Sequence, residues 1–147
     1  MFRGKYPHTI DPKGRLSIPA KFRDELAERK VFTLVLTEGD QCIWAFPLDE
    51  WERFESRLRQ QPQFATQTRH FMRITVGSAR DCPVDRAGRT LVPPELREFA
   101  GLQREVMIVG QLDRFEIWSR ERWSEHHTHD LRRNFDAAAG KLAEFGL

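Results

Sequence analysis

Hydrophobic positions along this chain fall first at every second residue and then at a helical spacing, and they do so twice. In "RLSIP" (Arg15–Pro19) Leu16 and Ile18 alternate with polar neighbours, and in "RTLVP" (Arg89–Pro93) Thr90 and Val92 do the same. That is the period of a half-buried strand. Each run is preceded by a short strand, "HTI" or "CPV", and by a four-residue turn, "DPKG" or "DRAG". Asp at the first turn position and Gly at the fourth suit a type I turn, and Pro12 adds the favoured proline at the second. Pro19 or Pro93 ends the strand and opens a short helix, "AKFRDELA" or "PELREFA", with Gly101 placed to cap the second. Two further strands follow in each half, "VFTLVLTE" with "CIWAF" and "EVMIVGQ" with "FEIWS", joined by hairpin-sized turns.

Between the halves the spacing lengthens. Leu48, Trp51, Phe54 and Leu58 line one face of a predicted helix that has Asp49 near its start. Pro62 interrupts, and a second helix follows with Phe64, Phe71 and Ile74 on one side. The tail from Arg120 to Phe145 reads as mostly polar helix, with Trp123, Leu131 and Phe135 at loose helical spacing.

The two halves are copies. At an offset of 74, Asp11, Gly14, Arg15, Pro19 and Arg23 fall on Asp85, Gly88, Arg89, Pro93 and Arg97. Carrying that offset onward lays Val35, Ile43 and Trp44 over Val109, Ile117 and Trp118, and a two-residue slip then aligns Trp51 with Trp123. Two copies are too few for a solenoid, so they predict one pseudo-symmetric α+β domain of short antiparallel strands. Interleaving the copies would let each cover the other's edge strands.

Composition narrows the chemistry. The 147 residues have room for one ordinary domain, and a net charge of +2 gives no global case for nucleic acid. Of the 24 basic residues, however, only five are lysine. Arginine has the planar fork suited to phosphates and guanine edges. Cys42 and Cys82 lack C-x-x-C spacing and suit a reducing cytoplasm. No secretory h-region and no membrane-length apolar run is visible. No P-loop, Rossmann fingerprint or nucleophile elbow occurs. "HHTHD" (His126, His127, His129, Asp130) lacks zinc-site spacing, and no metal or other cofactor is expected. The four tryptophans, at strand ends and helix starts, fit core packing better than base stacking.

A turn needs no arginine after its glycine, yet both copies supply one. Arg3, Lys5 and Lys13 accompany Arg15, and Arg80 and Arg86 accompany Arg89. Paired arginine-bearing turns suit duplex DNA, where phosphates give affinity and base edges give register. Asp11 or Asp85 would hold its guanidinium in a fixed pose. The expected DNA-binding residues are Arg3, Lys5, Lys13, Arg15, Arg86 and Arg89, with Asp11, Gly14, Asp85 and Gly88 supporting the motif.

"MFRGKYPHTIDPKGRLSIPAKFR" together with "DRAGRTLVPPELREFAGL" resembles the MraZ family, bacterial transcriptional regulators built from two SpoVT/AbrB-like repeats, each with a D-x-x-x-R motif. Here the motifs are Asp11–Arg15 and Asp85–Arg89. The resemblance implies a duplicated swapped-hairpin β-barrel with short flanking helices, formed within one chain. It covers the chain from Met1 to about Trp123, with the two repeats expected at 5–52 and 79–123 and a helical connector at 53–78; the helical tail at 124–147 departs from it. It also implies ring-like homo-oligomers at the nucleoid, bound to short direct repeats in the promoter of the division and cell-wall gene cluster, the protein's own gene included. Two other functions fit the composition. One is a homo-oligomer whose arginines bind acidic protein surfaces. The other is an enzyme on a phosphate-bearing substrate, for which no catalytic group is apparent.

Overall fold

A computed structural model describes all residues, Met1–Leu147. Its elements are β1 (Lys5–Thr9), β2 (Arg15–Ser17), α1 (Ala20–Glu28), β3 (Thr33–Glu38), β4 (Ile43–Pro47), α2 (Leu48–Arg59) and α3 (Thr66–Thr75). The second half repeats the plan: β5 (Arg80–Pro83), β6 (Arg89–Leu91), α4 (Pro94–Ala100), β7 (Glu105–Gly110), β8 (Phe115–Ser119) and α5 (Arg120–His126). A π-helical stretch (His127–Leu131) and α6 (Arg132–Ala143) complete the chain. The fold is α+β with duplicated strand-and-helix units.

The copies exchange strands. The six-stranded antiparallel sheet runs β1-β7-β8-β4-β3-β5, so β1 of the first half pairs with β7 of the second and β5 of the second with β3 of the first. A separate two-stranded ribbon joins β2 to β6. Both outer strands, β1 and β5, contain a proline, Pro7 and Pro83, and proline on an edge discourages pairing with another chain.

The repeat register needs one correction. The ladders close on Glu38 opposite Ile43 and on Gly110 opposite Phe115, so the hairpins superpose at an offset of 72, not 74. Trp44 therefore corresponds to Glu116 and Phe46 to Trp118, while Trp51 still meets Trp123. The two-residue slip lies in the first helix of each half, nine residues long in α1 and seven in α4. The longer offset misled because it preserves strand parity, so the same faces stay apolar. Trp44 opposes Glu116 in the sheet and Leu16 opposes Thr90 in the ribbon. Each pair joins structurally equivalent positions, and the pseudo-two-fold axis passes through both.

One core serves both halves. Leu16, Ile18, Phe22, Leu34, Leu36 and Ile43 from the first share a single buried cluster with Val92, Leu96, Val106, Ile108, Phe115 and Ile117 from the second. Phe2, Phe22 and Phe115 pack ring to ring, with centroids 5.0–5.4 Å apart. Gly101 caps α4 in the left-handed conformation, as expected. Trp51 is buried on the inner face of α2, with Leu48 and Phe54 against it.

The helix α3 starts at Thr66, so Phe64 lies ahead of it, 91% exposed, instead of on one side with Phe71 and Ile74. Thr68 and Thr75 are buried and the Phe71 ring lies 6.4 Å from Trp44 and 6.1 Å from Phe54, while Ile74 is exposed. A hydroxyl network docks this helix. The Thr37 hydroxyl donates to the Thr75 carbonyl and lies 2.8 Å from Ser78 Oγ, which in turn accepts the Glu38 N–H. The tail is exposed along α6, which buries no residue. No helix is long and apolar enough to cross a membrane.

Candidate nucleic-acid interface

The first motif folds locally. Asp11 Oδ1 accepts the backbone N–H groups of Lys13 and Arg15, both at 2.9 Å, which makes an Asx-type turn. Its carbonyl accepts the Gly14 N–H at 2.9 Å, and its own N–H reaches the Arg15 carbonyl at 3.0 Å. Gly14 has φ +87° and Gly88 φ +76°, backbone that L side chains rarely adopt. The second turn repeats this geometry, with the Arg89 N–H donating to Asp85 Oδ1 at 2.9 Å. The turns are stitched across the halves: the Ile18 N–H donates to the Gly88 carbonyl and the Val92 N–H to the Gly14 carbonyl.

Strand alternation sets where the arginines go. Leu16 and Thr90 point into the core, essentially inaccessible. Arg15, Ser17, Arg89 and Leu91 must then share the opposite, outer face of the ribbon. Arg15 opposes Leu91 and Arg89 opposes Ser17, so the two arginines are diagonal neighbours, typically about 7–8 Å apart. Their side chains are 38% and 39% exposed.

The arginines are held differently. Arg15 Nε donates to Asp11 Oδ2 at 2.6 Å, which leaves Nη1 and Nη2 without a hydrogen bond inside the chain. Arg89 Nε lies 3.6 Å from Asp85 Oδ2, an ion pair beyond hydrogen-bond reach, and this buried N–H has no partner. The backbone N–H of Arg15, followed by its guanidinium, holds the Asp11 carboxyl below the usual carboxylate range. Asp85 is lowered chiefly by the Arg89 N–H, then by the Arg89 charge, with a further contribution from Arg15 across the ribbon.

Lys13 and Arg86 stand exposed on the turn tips. Arg3 and Lys5, expected beside the first turn, are not brought to it. Lys5 begins β1, whose far end leads into the turn, so Asp11 stands about 20 Å away at strand rise. Its ammonium lies 5.9 Å from the centre of the Trp123 ring instead. Arg80 pairs with Glu95 at 3.2 Å. Two arginines were given no role from the sequence. Arg97 lies against Gly14 so closely that a Cβ there would stand 2.7 Å from its Cζ, and Arg23 covers Gly88 likewise. Each comes from the other half's helix. Their matched places at the end of the repeated phrase were the available signal.

Elsewhere the structure offers little chemistry. His126 stacks on Trp118 and pairs with Asp130 at 3.1 Å, and no group of three or more His, Cys, Asp or Glu side chains could hold a metal. Burial raises the thiols of both cysteines, that of Cys82 to about 11.

The family model described as "MraZ protein, putative antitoxin-like" matches the chain twice, over residues 1–74 and 76–145. The chain belongs to the MraZ family. Among MraZ relatives, one from Heliobacterium modesticaldum is 44% identical over the full length of both chains, and one from Moorella thermoacetica is 43% identical with the same coverage. A third, from Pseudomonas fluorescens, is 42% identical over 89% of this chain and 88% of its own. All three are named "Transcriptional regulator MraZ".

Proposed function

We propose that this MraZ protein is a sequence-specific DNA-binding transcriptional regulator whose reading head is the β2–β6 ribbon. The observation that carries this is the placement of Arg15 and Arg89 on one outer ribbon face, with the Arg15 terminal nitrogens uncommitted. A two-stranded ribbon fits the major groove, and arginine pairs bidentately with guanine O6 and N7. Lys13 and Arg86, on the turn tips, would take phosphates, and Asp11 and Asp85 would orient the guanidiniums beforehand, so binding orders fewer rotamers. Arg3 and Lys5 stand outside this head.

The finer architecture belongs to the same proposal. Cross-pairing of β1 with β7 and β5 with β3 supports a swapped-hairpin barrel made of repeats 5–52 and 79–123, with a connector at 53–78 and a tail at 124–147. One head covers only a few base pairs, so a ring of copies on direct repeats would supply the affinity. After the first head docks, the next binds at high effective concentration, worth about 10²–10⁴-fold. The proposed site is the promoter of the division and cell-wall cluster that includes the protein's own gene, at the nucleoid.

The test is a titration of DNA from just upstream of that gene, cut to carry one repeat or several, beside a scrambled control. Tight binding to several repeats, weak binding to one and none to scrambled DNA is expected. Equal affinity for one repeat and several would remove the ring argument, and no preference over scrambled DNA would remove the regulator reading.

A further inference from the structure

The reading head is nearly two-fold, but not quite. Arg15 and Arg89 correspond, and so do the buried Leu16 and Thr90, yet Ser17 corresponds to Leu91. Leu91 is 56% exposed on the same outer face as both arginines, directly opposite Arg15. The turn tips differ too, with Lys13 matching Ala87 and Pro12 matching Arg86. A strictly two-fold head would call for a palindromic site, because operator symmetry mirrors protein symmetry. This head has a polar half at Ser17 and an apolar half at Leu91.

We infer that Leu91 is a specificity-determining residue that packs on the 5-methyl group of a thymine, next to the base pair addressed by Arg15, and so gives each repeat a direction. This rests on the ribbon being the DNA-reading head. Opposed residues in an antiparallel pair have Cβ atoms about 4.5–5.5 Å apart, between one and two base-pair steps of about 3.4 Å. Arg15 and Leu91 are therefore close enough to address neighbouring base pairs. In the major groove the methyl group is the one apolar mark a base edge carries, and a leucine flanked by arginines in that groove has no other apolar partner. Ser17, opposite Arg89, can bond to either kind of edge and demands no methyl. The consequence is a recognition element with a thymine requirement on one side only. Such an element is read as a direct repeat and not as an inverted one.

The experiment uses the full-length protein and a library of random duplexes to select its preferred site. Each thymine of that site is then replaced singly by deoxyuridine, which lacks only the methyl. One position per repeat should weaken wild-type binding about fourfold, the size expected for one buried methyl. Leu91→Ala should bind the thymine and uracil forms equally, while still depending on Arg15. A selected site that is palindromic, or indifference to uracil at every position while Arg15→Ala still weakens binding, overturns the role of Leu91 and leaves the head in place. If Arg15→Ala and Arg89→Ala both bind as wild type, or no site is selected, the head itself is wrong and this inference falls with it.

Discussion

The residue that organises each motif is its aspartate, and its chemistry has a pH signature. Asp11 and Asp85 have folded pKa values below their ordinary range, because backbone N–H groups and arginine charge favour the carboxylate. A group with a lowered folded pKa contributes stability above its unfolded pKa, about 3.9, and loses that contribution as pH falls through the folded value. The Asp11→Asn, Asp85→Asn double variant should therefore be less stable than wild type at neutral pH, and the gap should narrow as pH falls below the unfolded value and through the lowered folded ones. Urea midpoints measured along that pH range check this, and a gap independent of pH would contradict it. At this scale the sequence was informative about Asp11, Gly14 and Arg15, because a turn states its own requirements within five residues. Beyond their matched places in the repeat it did not show the role of Arg23 and Arg97, which lie against Gly88 and Gly14 of the opposite halves. It also grouped Arg3 and Lys5 with the turn by nearness along the chain, where an extended strand carries them away from it.

At the scale of elements, the hairpins, short helices and duplicated plan were legible because each follows from a local period and its stop signals. Strand neighbours were not. Alternation tells which face of a strand is buried, but not which strand lies beside it, and here β1 and β2 find all their ladder partners in the other half apart from the Ile10–Leu16 bridge. The docking of α3 was not legible either. Beside Phe71, which packs near Trp44 and Phe54, its inner side is held by Thr37, Ser78 and its own threonines, and hydroxyl groups leave no apolar period to detect. Strand exchange makes a prediction of its own. A fragment of residues 1–60 keeps β1 and β2 but loses β7 and β6, together with half of the shared core. It should be unfolded, or dimerise so that a second copy replaces the missing half. Circular dichroism and sedimentation distinguish these, and a folded soluble monomer would contradict the shared-core account.

For the whole molecule, the fold places two turns, one from each half, on a single ribbon that neither half can make alone. The pseudo-two-fold axis through Leu16 and Thr90 sets Arg15 and Arg89 a diagonal apart, and the large sheet behind them supplies the rigidity. Phe64 and Ile74 near α3, and Phe135, Leu142 and Phe145 along the tail, are exposed apolar side chains outside the ribbon. On the proposed function, the ribbon arginines contact DNA. The most direct measurement is the affinity of the Arg15→Ala, Arg89→Ala double variant for DNA upstream of the protein's own gene, taken across a range of salt beside wild type. Each bidentate contact is worth about 1–3 kcal/mol. The account predicts at least a tenfold loss of affinity and a shallower dependence of log K on log salt, with the circular dichroism spectrum and oligomer mass unchanged. Wild-type affinity with a wild-type salt slope would contradict it.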